Sequence, residues 1–130
     1  RNESFRDGNN YHKCPAPLEE HSGRGEEVAM IDISADASGV CTCGLYNSKL
    51  GLAMSLRFRK EQLPWLMNWQ HWGTNEYVTG IEPSTNKLIG QAKARERKEL
   101  IFLQPGDSRT YDLEIEVFDN QEKIDLFLKK

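Results

Sequence analysis

The sequence predicts an all-β protein built from antiparallel strands in packed sheets. Several segments alternate apolar and polar residues with a period of two, which is typical of strands. Short clusters rich in glycine, asparagine, aspartate and serine separate these segments as turns. Residues 86–100 form the one plausible helical segment, but their apolar spacing is poor, so we expect a turn or two of helix at most.

The composition bounds the domain organisation and the partners. A chain of 130 residues is long enough for one domain and too short for two ordinary ones. Its 38% hydrophobic and 28% charged residues are typical of a soluble globular protein, and no apolar run approaches a membrane span, so no membrane partner is expected. The net charge of -3 also disfavours nucleic acid as a partner.

We expect a single domain over residues 1–130, with an irregular stretch at 1–25, a β core at 26–119 and a tail at 120–130. The apolar residues of the tail must dock on the core or stay frayed. The chain opens on ten residues without an initiator methionine and with Phe5 as the one apolar residue. This opening suggests a chain entered partway along.

The cysteines indicate reduced thiols and a cytoplasmic location. There are three of them, Cys14, Cys41 and Cys43, and an odd number without an even framework is not a disulfide pattern. Metal sites of the CxxC type need a different spacing and a second pair of ligands, so no metal site is predicted. We expect packed or partly exposed thiols.

Strands are expected near six ranges, which are 26–34, 40–47, 50–58, 64–71, 77–82 and 109–118. Asn47, Ser48 and Lys49 join the second and third strands, so a hairpin is expected there. In the last strand, apolar residues alternate with acidic ones, which predicts burial of one face. A basic cluster between the fifth and sixth strands is interrupted by Glu96 and Glu99, which favours a solvated surface over a nucleic-acid patch.

The fourth strand carries large side chains on both faces. Alternation places Trp65, Met67, Trp69 and His71 on one face and Leu66, Asn68, Gln70 and Trp72 on the other. This pattern indicates either burial on both sides or a ligand on one side. Periodicity alone slightly favours a purely structural role, in which the three tryptophans are core residues.

Glu82 follows the next strand, where "YVTGIEP" ends in a proline and a polar loop. The chain contains no GxSxG motif, no phosphate-binding glycine loop and no HExxH motif, and no cofactor is predicted. Flat aromatic rings and a carboxylate at a strand end suit a sugar, whose C–H face packs on rings and whose hydroxyls need polar groups.

Two segments, "LPWLMNWQHWGTNEYVTGIEP" and "LQPGDSRTYDLEIEVFD", resemble the C-terminal part of the aldose 1-epimerase (galactose mutarotase)-like superfamily, in an uncharacterised branch. The resemblance extends back through "EEVAMIDISADASG" and "NSKLGLAMSLRF" and covers roughly residues 11–119. It implies a β-supersandwich fold, of which this chain is the C-terminal part, with a sugar bound in a groove on a concave sheet.

The resemblance also implies a chemistry. In mutarotases a glutamate at the end of a late strand takes the proton of the anomeric hydroxyl while a histidine protonates the ring oxygen. Ring opening, rotation about C1–C2 and reclosure then give the other anomer. Glu82 matches the glutamate, and a carboxylate serves as a base best when it is partly buried. We expect Trp69, Asn68 and His71 near it as sugar-binding residues.

None of His12, His21 and His71 matches the acid histidine of the family, which belongs to its N-terminal part. Three function classes therefore stay open: a sugar-converting isomerase acting at C1, a carbohydrate-binding protein without catalysis, and a structural β-domain fragment. The 130-residue chain alone is expected to lack activity. It is also expected to leave sheet edges and apolar faces uncovered, such as that of Trp65 and Met67, and to associate with a second copy or with a missing N-terminal part.

Overall fold

A computed structural model describes residues 12–129 and consists mostly of β-strands, which confirms the all-β class. The six strands and two helices are β1 (Glu27–Ile31), β2 (Val40–Asn47), β3 (Leu52–Arg59), β4 (Trp65–Gly73), β5 (Glu76–Ser84), α1 (Gln91–Glu96), β6 (Leu113–Phe118) and α2 (Gln121–Leu128). All strand pairings among them are antiparallel, and β2 and β3 form the expected hairpin.

The strands form two three-stranded sheets, each in its own compact unit. The first sheet has the order β1-β4-β5 and belongs to the unit with residues 12–33 and 64–104. The second sheet has the order β2-β3-β6 and belongs to the unit with residues 34–63 and 105–129. The single domain expected over residues 1–130 stays a prediction.

The irregular N-terminal stretch is described from residue 12 onward, and the part at 1–11 lies outside the described residues. Between residues 12 and 25, the regular structure is one 3-10 turn, Glu19–His21. The backbone N–H of Leu18 donates to the carbonyl of Trp72 at 2.8 Å, and the N–H of Trp72 donates to Nδ1 of His21 at 3.0 Å. These bonds fasten the stretch to the end of β4.

The first sheet has one buried face and one face, called the open face below, that is exposed at several positions although Met67 on it is buried. Leu66, Gln70 and Trp72 alternate along β4 on the buried face, and their exposed fractions are 2–5%. Across the strands they are joined by Ala29, which is 2% exposed. On the other face, Met30 and Val78 are about half exposed. Trp72 is therefore core, whereas Trp69 is on the open face.

The second sheet is buried most deeply along β2 and β3. Cys41 is fully buried. On the neighbouring strand β3, its paired residue Phe58 and the residue two positions before it, Leu56, are 2% and 6% exposed. Cys43 lies on the same face of β2 as Cys41 and is half-buried. The four basic residues Lys93, Arg95, Arg97 and Lys98 of the other unit are all exposed in and after α1.

The expectation that β6 buries one face is wrong. Leu113, Ile115 and Val117 are 51%, 66% and 67% exposed, because β6 is an edge strand and α2 packs on the opposite face of the sheet. On that opposite face the rings of Phe118 and Phe127 stack with centroids 5.7 Å apart. The second sheet therefore has an uncovered apolar row on β6, whereas Met67 of the first sheet is only 4% exposed.

The strand expected at 109–118 begins only at Leu113. Asp112 is held instead by the side chain of Gln62, which accepts from its backbone N–H at 2.8 Å and donates to its carboxylate at 2.8 Å. The backbone donor that would continue the ladder is thus already bonded. The hydrogen bond from Asp112 to the side chain of Gln62, a loop residue, therefore sets the start of β6 at Leu113.

Helix α2 in the tail is a second correction, since helix was expected only within 86–100. Asn120 caps it, because its side chain accepts hydrogen bonds from the backbone N–H groups of Glu122 and Lys123. Ile124 is fully buried, and Phe127, one turn later, packs on the same core cluster. The tail thus packs on Ala53 and Phe118 of the second sheet.

Within residues 12–129, no helix has the length and hydropathy needed to span a membrane.

We expect the exposed apolar row of β6 to promote self-association of the chain. Replacing Ile115 with lysine should shift the protein toward monomer without unfolding it, because this side chain is 66% exposed. Light scattering over a concentration series measures the effect. Leu128→Lys, at an exposed position on α2, is the matched control. A wild-type chain that stays monomeric at all concentrations would contradict this expectation.

Candidate functional site

The register between β4 and β5 decides which side chains share the open face of the first sheet. Met67 pairs with Glu82, Trp69 with Gly80, and His71 with Val78. Directly paired residues of antiparallel strands project to the same side. Trp69, His71 and Glu82 therefore lie on one face, as the sequence interpretation required.

The side chain of Glu82 is exposed and turns back along its own strand. A Cβ atom built on Gly80 would lie 2.5 Å from Oε1 of Glu82. The carboxylate thus occupies the space in front of Gly80, the residue paired with Trp69. Among residues 12–129, Glu82 makes no hydrogen bond or ion pair, so its oxygens are available to a ligand.

Trp69 is held in a defined orientation on this face. Its indole N–H donates to Oε2 of Glu26 at 2.9 Å. Its ring stacks on the ring of His71, with centroids 6.0 Å apart and an angle of 4° between the planes. A ring fixed by a hydrogen bond and a stack presents a flat apolar surface at low entropic cost.

Both ring nitrogens of His71 are engaged by neighbouring groups. Nδ1 contacts the carbonyl oxygen of Gly25, and Nε2 lies 3.2 Å from Oε2 of Glu76. The hydrogen bond to Glu76, assisted by the Gly25 carbonyl, raises the pKa of His71 above its ordinary value. The backbone N–H of Gly23 and the hydrogen bond from His71 lower the pKa of Glu76. The pair therefore favours a protonated imidazole on a carboxylate.

Asn68 lies on the opposite, buried face and is not brought together with Glu82. Its Nδ2 donates to Oγ1 of Thr79 at 2.8 Å and to the carbonyl of Gly80 at 3.0 Å. Its Oδ1 accepts from Nε2 of Gln70 at 2.7 Å. These bonds satisfy the amide inside the sheet. Asn68 thus supports the backbone behind the open face.

The far end of the open face carries Trp65 and a cation. Nζ of Lys87 lies 4.8 Å from the centre of the Trp65 ring, in cation–π geometry. The same ammonium lies 3.5 Å from the carboxylate of Glu99. Trp65 is therefore partly covered, and Trp69 is the tryptophan next to Glu82.

Cys43 of the second sheet offers no reactive thiolate. Burial, together with the neighbouring Cys41, raises the pKa of Cys43 to about 11. Such a thiol stays protonated at neutral pH, and metal ligands and nucleophiles need the thiolate. Residues 12–129 contain no group of three metal-ligating side chains.

Sequence reasoning missed Glu26, Glu76 and Gly80 as contributors to this face. Glu26 precedes β1 directly and Glu76 opens β5, so both lie at strand ends, as Glu82 does. Gly80 interrupts an otherwise strand-forming run, which is the usual signal of a close approach. Acidic residues at the ends of the strands that flank β4 were therefore the sequence signal for Glu26 and Glu76, and a glycine inside a strand was the signal for Gly80.

We expect the His71–Glu76 pair to make stability depend on pH. A raised histidine pKa contributes stability that is present below about pH 6.5 and is lost as the pH rises through the folded-state value. A lowered glutamate pKa contributes stability that is lost as the pH falls below about 4.5. Glu76→Gln should therefore destabilise most between these two values.

Denaturant unfolding at pH 5.5 and pH 8.5 measures this difference, and an NMR titration of His71 should show its pKa fall in the variant. Glu96→Gln, at an exposed carboxylate of α1, is the control and should show no such pH dependence. An equal effect of Glu76→Gln at both pH values would contradict the assignment.

Comparison with known proteins agrees with this architecture. A family model described as "Domain of unknown function (DUF4432)" matches residues 1–117. No curated protein matches the chain. A solved structure from Klebsiella pneumoniae subsp. pneumoniae MGH 78578, provisionally assigned as an aldose 1-epimerase, is similar, with 28% sequence identity and a TM-score of 0.75. The match covers 88% of this chain and 29% of that chain. The chain therefore belongs to the DUF4432 family and has an aldose 1-epimerase-like β fold.

Proposed function

We propose that the open face of the first sheet binds a sugar and that Glu82 is the base of an aldose 1-epimerase-like reaction in the natural protein. One observation carries this proposal. The Glu82 carboxylate lies over Gly80, the residue paired with Trp69, and bonds to none of the described residues. The likeness to a provisionally assigned aldose 1-epimerase supports it.

Trp69 supplies the surface on which a pyranose rests. Its ring is oriented by Glu26 and His71, so the apolar C–H face of a sugar packs on it without reordering the side chain. The carboxylate of Glu82 then faces the hydroxyl groups at the edge of the sugar ring. This combination of flat ring and convergent polar group is typical of small-molecule sites.

The reaction needs one base and one acid. Glu82 accepts the proton of the C1 hydroxyl, and the O–H electrons form the C1 carbonyl as the bond from C1 to the ring oxygen breaks. An acid gives its proton to the ring oxygen at the same time. Rotation about C1–C2 and the reverse steps give the other anomer, so Glu82 must both take and return a proton.

His71 lies on the same face as Glu82 and is a candidate acid, but its geometry favours a supporting role. A protonated imidazole here points one N–H at the Gly25 carbonyl and the other at Glu76. Transfer to a sugar would require one of these bonds to break. The proposal therefore takes the acid from elsewhere in the natural protein and assigns His71 to the orientation of Trp69.

Sugar binding without catalysis is the second candidate function. It is favoured by the same observation on His71, since an imidazole bonded to both Gly25 and Glu76 is poorly placed to donate a proton to a sugar. The chain covers 29% of the length of its structural neighbour, so the activity of the natural protein is part of the proposal. Measured binding with no anomer exchange in the natural full-length protein would select this candidate.

We expect Glu82→Gln to lower anomer interconversion by about 10²–10⁴-fold in the natural full-length protein, because the amide keeps the shape but removes the base. Polarimetry or NMR exchange with a panel of D-aldoses measures the rate, and titration of the same sugars should show binding retained. Glu96→Gln, at an exposed carboxylate of α1 outside the sheet, is the control. Wild-type turnover in Glu82→Gln would exclude Glu82 as the base.

The 130-residue chain alone should show no interconversion, since its acid partner is expected elsewhere. The same polarimetric assay on the isolated chain tests this. Catalysis by the isolated chain would make His71 the first residue to replace.

We expect Trp69→Ala to weaken sugar binding roughly 10-fold, which is the size expected for one lost ring contact. Calorimetric titration with the same aldoses measures it. Tyr46→Ala, at a half-exposed aromatic residue of the other sheet, should leave affinity unchanged. Equal affinities of the wild type and Trp69→Ala would place the sugar away from this ring.

A further inference from the structure

Gly80 stands at the centre of the candidate site but has no side chain to contribute. It lies within β5, with Val78 and Glu82 as its neighbours on the open face, and it pairs with Trp69. Its backbone dihedral angle φ is not in the left-handed region, so the backbone does not require glycine there. Glycine in a strand interior weakens the strand, which makes a steric reason the natural one.

The space in front of Gly80 is occupied by Glu82. A Cβ atom at Gly80 would lie 2.5 Å from Oε1, 3.2 Å from Cδ and 3.4 Å from Cγ of Glu82. The first distance is well below any real contact, so an alanine would force the carboxylate to leave. The nearest atoms to such a Cβ all belong to this one side chain.

We propose that Gly80 is a positioning residue that lets the Glu82 carboxylate fold back over the strand toward Trp69. This inference rests on the proposed function, because it assigns the direction in which the base points. The space left by the missing side chain of Gly80 is called the slot. If a side chain filled the slot, the Glu82 carboxylate would extend away from Gly80 and therefore from the position paired with Trp69. The glycine of "YVTGIEP" and the glutamate two residues later thus form one unit.

The contact offers a clean test because the displaced group is the end of a flexible, exposed side chain. Gly80→Ala should fold normally, with an unfolding midpoint equal to or above that of the wild type. In the natural full-length protein we expect kcat for anomer exchange to fall by about 100-fold, since a small displacement of a catalytic group has this effect. The KM should change little, because Trp69 still binds the sugar.

A double-mutant cycle separates positioning from a general structural effect. Glu82→Asp shortens the side chain, so its carboxylate no longer reaches the slot at Gly80. Gly80→Ala should therefore reduce kcat much less in the Glu82→Asp background than in the wild type. A crystal structure of Gly80→Ala should show the Glu82 carboxylate outside the slot.

The outcomes distinguish this inference from the proposed function. Wild-type kcat in Gly80→Ala, combined with loss of activity in Glu82→Gln, would overturn the role of Gly80 alone. Equal losses of kcat from Gly80→Ala in both backgrounds would also overturn it. Wild-type turnover in Glu82→Gln would overturn the function and this inference together.

Discussion

The pairing of β4 with β5 is the constraint on which the candidate site depends. Met67 faces Glu82 and Trp69 faces Gly80 in this register. A slip of one residue would move every side chain of one strand to the other face. A slip of β5 would put the Glu82 carboxylate on the buried side, and a slip of β4 would turn Asn68 away from its buried partners. The buried face specifies the register, because Leu66, Gln70 and Trp72 fit the interior only in this alignment.

Alternation in the sequence was sufficient to find the strands and to separate Trp69 from Trp72. It could not decide which face of β4 is buried, because both faces carry large side chains. The structure settles this through neighbouring strands, since Ala29 closes the buried face from β1. Asn68 was included in the predicted site for its polarity, although alternation already placed it opposite Trp69. Its hydrogen bonds within the sheet explain why a polar residue stands there.

The remaining differences from the sequence-based expectations have local causes. The cap at Asn120 and the core contacts of Ile124 and Phe127 specify α2. Periodicity could not identify this helix, because only these two of its four apolar residues pack on the core cluster. The alternation of β6 is regular, yet regular alternation does not tell whether a neighbour covers the apolar side. The roles of Glu26 and Glu76 depend on contacts distant in sequence, which no local pattern encodes.

One face of the first sheet packs in the core and the other carries the candidate site, so the two faces can change independently in sequence. Residues that maintain the fold are on the buried side, while Trp69, Val78 and Glu82 project from the other side of the same backbone. Substitutions at exposed positions of that side, such as Val78 and Glu82, therefore cost little folding free energy, because they remove few packed contacts. A protein with this sheet can therefore acquire a new ligand through changes at exposed positions of one face, while the other face continues to hold the fold.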